Sequence, residues 1–180
     1  MRRILLLLIA AAIIGSALYI ADPMFNAATQ TTVTVNASAT VTDTVNSIES
    51  AIVARVIDGD TIVLDTGERV RLTGVDAPEM GEHGADEGAE PGAIEAKQFV
   101  SNLVLGQTIW LESEGRDRDR FERLRRYVWI EEPNDTDDPD EIASKMLNAM
   151  LLAEGHAVIM IINSGEVRHE ALFRELERNN

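Results

Sequence analysis

The chain has 180 residues, 31 of them Asp or Glu against 16 Lys or Arg, a net charge of -15 and no cysteine. Lack of cysteine excludes a disulfide framework and a thiolate metal centre, so the fold must stand on its own core. The acid excess argues against a protein that captures nucleic acid by long-range attraction, because phosphate contacts drive such affinity.

Met1-Arg2-Arg3 precedes 18 uncharged residues, Ile4 to Ala21, closed by Asp22-Pro23. That length is close to the roughly 20 apolar residues of a membrane span, and the layout also fits a signal peptide, with Gly15-Ser16-Ala17 as a small-residue cleavage site. In either case the arginines keep the N-terminus inside and send the rest out. Residues 1–21 are therefore read as a signal peptide or membrane anchor, and the remainder as extracellular or tethered to the cell surface. Residues 22–49, rich in Thr and Ser and without Lys or Arg, read as an extended linker. Asn36-Ala37-Ser38 and Asn134-Asp135-Thr136 fit the glycosylation sequon.

Residues 50–180 form one expected domain, beginning with strands at 51–57, 60–65 and 68–75. The last two are β-branched, alternating, and joined by Asp65-Thr66-Gly67, which predicts a hairpin. Asp60 then opens one strand and Asp76 closes its antiparallel neighbour, so two carboxylates meet at one end. They repel each other unless a positive charge lies between them, and oxygen-only ligands favour calcium or magnesium over zinc. Pro78 stiffens the exit turn and holds Glu79 near Asp76, within reach of a metal-associated water. Strict alternation puts Arg71 and Asp76 on opposite faces. Bringing them together requires a twist or bulge, with Gly74 its natural place.

A Gly-rich acidic loop over 80–92 leads to a helix expected at 92–105, where Ala96, Phe99, Val100 and Leu103 share a face before Gly106. Strands follow at 107–112 and 124–131, with six arginines gathered within 116–126. An acidic, Pro-containing loop over 131–141 reads as surface. Helices at 141–154 and 166–177 complete the chain. Five short strands with about three helices suit an α+β fold, mainly β, built on a five-stranded Greek-key barrel of the OB type. His83, His156 and His169 have no partner spacing and read as incidental.

Val-Ile-Asp-Gly-Asp-Thr at 56–61, Val-Arg-Leu-x-Gly-Val-Asp-Ala-Pro-Glu at 70–79 and Asp-Arg-Phe-x-Arg-Leu-x-x-Tyr-Val-Trp at 119–129 together resemble the staphylococcal nuclease family. A weaker match runs over 147–157. The resemblance implies that Asp60 and Asp76 are calcium-ligand carboxylates, with Ala77 offering a backbone carbonyl. It implies that Glu79 is the general base and that Arg71 and Arg123 bind the scissile phosphate. Phe121 and Arg120 fall where the substrate would be contacted. Relatives typically leave a 3'-phosphate and a free 5'-hydroxyl on DNA or RNA. Two departures stand out: Glu122 occupies a position usually held by Gly, and Ile161 falls where an aromatic is often found.

Two Lys against 14 Arg, with 31 acids, also resembles the balance in proteins of salt-loving microbes. At molar salt the Debye length is about 3 Å, so repulsion beyond contact range is quenched. The sequence therefore predicts a monomeric, calcium-dependent nuclease acting on DNA, RNA or both, joined to the membrane only if the N-terminal segment is retained. One rival is an inactive OB-fold module that binds nucleic acid or protein. Another is an envelope-tethered acidic domain that binds calcium without cleaving anything.

Overall fold

The computed structural model describes residues 48–82, 85–161 and 167–180. The expected N-terminal segment over 1–21, nearly all of the linker, the first sequon and His83 lie outside the described residues. Among the described residues no helix is long and apolar enough to cross a membrane.

Five strands close into a barrel: β1 (Ile48–Val56), β2 (Thr61–Leu64), β3 (Arg69–Leu72), β5 (Thr108–Arg118) and β6 (Leu124–Trp129). Their order around the barrel is β1-β2-β3-β6-β5, with β3 and β6 parallel and the other pairs antiparallel. Closure removes the unpaired edges that an open sheet would expose. The expected five-stranded barrel is present. Alternation fills it: Val53, Ile62, Leu64, Val70, Leu72, Ile109, Leu111 and Val128 are almost wholly buried.

α1 (Ala93–Val104) buries Ala93, Ala96, Val100 and Val104, spaced three or four residues apart, so one apolar stripe covers the barrel. Where one helix was expected over 141–154, there are two, α2 (Pro139–Lys145) and α3 (Leu147–Ala153). Met146 breaks them. It is fully buried and extended, with φ -87° and ψ 115°, and bridges to Trp129, while the Ile130 amide donates to the Lys145 carbonyl at 2.9 Å. Continuation of β6 therefore overrides local helix propensity. α2 starts cleanly, since the Asp138 side chain accepts from the Asp140 amide and Pro139 occupies the first turn.

A small second sheet joins β4 (Val75–Asp76) to β7 (Val158–Ile159), a strand the sequence reading did not find. α4 (Glu170–Arg178) closes the fold with Phe173 fully buried. Asn148 locks these parts internally. Its side chain donates to the Thr73 carbonyl at 2.8 Å and accepts from the Val128 amide at 2.9 Å, so no buried polar atom of its amide is wasted.

Candidate active site

Gly74 separates β3 from β4. Its φ of 80° lies in the left-handed region, which only glycine adopts readily, and the chain turns there as expected. Arg71 on β3 and Asp76 on β4 are thereby brought to one side: Arg71 Nη2 lies 2.6 Å from Asp76 Oδ1. The other guanidinium nitrogen, Nη1, lies against Asp60 Oδ1. Both carboxylates thus converge on one cation, so a divalent ion at that position would be held by oxygens alone, a donor set suited to a hard ion. Among the described residues no group of three or more His, Asp or Glu converges to complete a shell. Further ligands would have to be backbone carbonyl or water oxygens.

Asp60 is 1% exposed and fully engaged. Its Oδ2 accepts from the Ala77 amide at 2.8 Å and its Oδ1 from the Thr61 hydroxyl at 3.0 Å. The same hydroxyl oxygen accepts from Arg123 Nη1 at 3.2 Å, which joins the second arginine to the carboxylate pair. Gly59 allows this crowding. A Cβ there would meet the Ala77 Cβ at 2.6 Å and the Ala96 Cβ at 2.9 Å, so α1 packs directly beneath the site.

Arg123 stands at the tip of the β5–β6 hairpin. The Asp119 amide donates to the Arg123 carbonyl at 3.0 Å and the Glu122 amide to the Asp119 carbonyl at 3.2 Å, which makes a tight turn followed by a bulge. Such turns need a left-handed residue at their end, usually glycine. Glu122 fills that position with φ 61°, the only non-glycine positive φ among the described residues. Asp119 braces the tip: Oδ1 accepts from the amides of Phe121 (2.8 Å) and Arg123 (3.0 Å), and Oδ2 from Arg123 Nε (2.7 Å). Burial would raise its pKa, yet these bonds from Arg123 and Phe121 hold the carboxyl below its ordinary value. The Phe121 ring is 52% exposed, with the Arg120 guanidinium 4.6 Å and that of Arg123 5.4 Å from its centre.

Glu79 follows Pro78 on an exposed turn. Its amide donates to Glu90 Oε2 at 3.0 Å and its carbonyl accepts from the Glu90 amide at 2.9 Å, a two-point clamp that closes the 80–89 loop. Burial and the nearby Asp58 charge push the Glu79 carboxyl above its ordinary pKa, opposed by Arg71 and Arg123. A carboxylate tuned upward in this way is a better proton acceptor than an ordinary surface Glu.

Direct contacts thus join Asp60, Arg71, Asp76, Ala77 and Arg123, with Glu79 in their electrostatic field and Phe121 and Arg120 beside Arg123. Sequence reasoning missed four of their supports: Asp58, Thr61, Glu90 and Asp119. Asp58 is 5% exposed, accepts from the Asp60 amide at 3.0 Å, and has its pKa raised by burial against the opposing pull of Arg71. Its signal was there in Asp58-Gly59-Asp60, a pattern equally at home in an ordinary turn. The arginine cluster is less positive than its composition suggests. Arg118 pairs with Glu68 at 2.9 Å, Arg126 with Asp117 at 2.7 Å, and Arg123 with Asp119.

The 131–138 loop and His169 are also more than surface. Arg168 Nη2 lies 2.5 Å from Glu112, which is fully buried and also accepts from Trp129 Nε1, while Arg168 Nε lies 3.3 Å from Asp137. His169 packs against Tyr127 and Phe173. These contacts clasp the start of α4 to the barrel.

A family model described as Staphylococcal nuclease homologue matches residues 69–180. The thermonuclease of Staphylococcus intermedius is 35% identical over 112 residues, 61% of this chain and 58% of that protein. The thermonuclease of Staphylococcus hyicus is 32% identical over 108 residues, 58% of this chain and 56% of that protein. The chain thus spans a little over half the length of these curated relatives. β1, β2 and Asp60 precede the matched region, yet they belong to the same closed barrel.

Proposed function

The chain belongs to the staphylococcal nuclease homologue family, and on that premise we propose that it is a calcium-dependent nuclease that hydrolyses phosphodiester bonds of DNA, RNA or both. The observation that carries the proposal is the convergence of Asp60 and Asp76 on Arg71, with Arg123 one hydroxyl away and Glu79 in their shared field.

Asp60 and Asp76 are the side chains that would hold calcium, aided by the Ala77 carbonyl. Calcium bound there supplies positive charge to a phosphate oxygen and makes a nearby water more acidic. Glu79 takes the proton of the attacking water. As the water oxygen bonds to phosphorus, negative charge grows on the phosphoryl group; the bond to the 5' oxygen then breaks, its electron pair leaving with that oxygen, which takes a proton from solvent to become the free hydroxyl. Arg71 and Arg123 meet it with planar, multiply donating guanidinium groups, worth most when fixed before the reaction. Asp119 and Thr61 are the residues that fix Arg123. The exposed Phe121 ring, flanked by Arg120, offers a stacking face for a base.

The N-terminal segment is proposed to export the domain or tether it to the membrane, and the protein to work as a monomer. The acid-rich, Lys-poor composition supports a role in molar salt, where short-range contacts rather than steering bind the substrate.

The test is incubation of the protein with single-stranded DNA and with RNA, in calcium or a chelator, at low and molar salt. Cleavage that needs calcium is expected. A folded protein that binds these strands but cuts neither under any of the conditions would favour the inactive binding module, with Glu122 the first residue to replace.

A further inference from the structure

We propose that the outer face of β1, β2 and β3 is a track for the phosphates of the single strand that flanks the cleaved bond, with Arg55 its far contact. The proposal rests on the nuclease reading and extends it from one phosphate to the length of strand the protein holds.

Register places the residues. Val63 on β2 is flanked by Arg55 on β1 and Arg69 on β3, and in the next row Arg71 on β3 lies between Thr61 on β2 and Arg125 on β6. Val70 and Leu72 point into the barrel, so Arg69 and Arg71 point out of it. Neighbouring strands lie about 4.8 Å apart, so Arg55 and Arg69 stand about 10 Å from each other across Val63. Arg69 also donates from Nη2 to the Phe121 carbonyl at 2.8 Å, which ties this face to the hairpin tip that carries Arg123.

Arg55 reaches the face only through an irregularity in β1. Val53 pairs with Leu64 and Arg55 with Val63, so Ala54 is an extra residue between them. Without it, strict alternation from the buried Val53 would turn residue 55 inward. The bulge leaves Ala54 and Arg55 exposed and returns Val56 to the core, the re-aiming that bulges commonly provide.

Charge singles out the same face. In a chain of net charge -15, six of the twelve arginines among the described residues are neutralised: Arg71, Arg118, Arg123, Arg126, Arg168 and Arg174 each pair with a carboxylate. Of the six described arginines that pair with none, Arg55, Arg69 and Arg125 lie in these rows and Arg116, Arg120 and Arg178 do not; Arg55 makes no hydrogen bond either. Arg55 is exposed and has neither ion pair nor hydrogen bond, so it is free to meet a phosphate. Three arginines without a carboxylate partner beside the site, in a chain of net charge -15, fit the repeating phosphates of one strand rather than a protein or a small ligand.

The test uses the full chain carrying Glu79→Gln, so that strands are bound and not cut. Affinities for a single-stranded dinucleotide and a dodecamer are measured by fluorescence anisotropy, from about 0.1 to 1 M KCl, with whichever of DNA and RNA binds more tightly. Arg55→Ala is expected to weaken the dodecamer roughly three- to tenfold and the dinucleotide not at all. It should also make the slope of log affinity against log salt more positive by about 0.7, the share of one phosphate contact on a single strand. Arg55→Lys should restore the slope. An unchanged ratio of dodecamer to dinucleotide affinity in Arg55→Ala would overturn the track, as would failure of Arg55→Lys to restore the slope. Binding of neither strand would remove both the track and the nuclease reading. If the dodecamer binds as expected but the chain with Glu79 intact cuts nothing, only the nuclease reading falls.

Discussion

Glu122 is the residue at which sequence and structure speak most directly to each other. Its position usually holds Gly in the family, and its φ of 61° explains why, since a left-handed L-residue costs about 1–2 kcal/mol. Glycine would relieve that strain but lose more entropy on folding, so Glu122→Gly should stabilise the protein by roughly 0.5–1 kcal/mol, read as a higher urea midpoint at unchanged slope. Gly59 predicts the reverse. Glu-to-Gly removes strain, whereas Gly59→Ala would push a methyl into Ala77 and Ala96 and cost roughly 1–3 kcal/mol, with calcium affinity falling as Ala77 and Asp60 are displaced. The charged residues of the site could be read from sequence because they sit in long, ordered motifs. Asp58, Thr61 and Asp119 could not. They act through backbone amides, one shared hydroxyl and, at Asp119, an ion pair with Arg123, contacts that no spacing announces.

At the scale of elements, the barrel strands were legible because apolar alternation and turn residues agree throughout 51–75. Three features were not. The break at Met146 comes from a pairing with Trp129, the pairing of β4 with β7 joins residues far apart in sequence, and the Arg168 clasp gathers groups from β5, β6, the 131–138 loop and α4. Each is a tertiary contact that overrides or is invisible to local pattern. The clasp makes two predictions. Arg168→Ala would leave Glu112 buried without its cation and should cost about 3 kcal/mol in chemical denaturation. His169 gives the clasp a pH dependence. Burial, then the Arg168 charge, lowers its pKa to about 4, against partial opposition from Asp137. The unfolded chain, with an ordinary His near 6.5, therefore binds more protons between these values. Stability is complete above about pH 6.5 and is lost as pH falls toward 4. A loss of about 2 kcal/mol is expected over that window, and His169→Phe should remove most of it.

For the whole molecule, the chain carries 31 acids, while the proposed substrate is itself a polyanion. Self-repulsion of the folded chain falls as salt screens it, and so does repulsion of the substrate, so both the thermal midpoint and the rate at subsaturating substrate should rise from 0.1 to about 2 M KCl. A typical basic nuclease would lose affinity over the same range. A falling midpoint and a falling rate would show that the acidic surface serves some other purpose. The central claim, however, concerns one carboxylate. The most direct measurement is the rate of single-stranded DNA or RNA cleavage by Glu79→Gln beside the unaltered protein, in calcium, together with the affinity of each for the strand. If Glu79 takes the proton of the attacking water, turnover should drop by at least about a hundredfold while affinity stays within a few-fold. Turnover equal to that of the unaltered protein would contradict the account, because the base would then have to be another group.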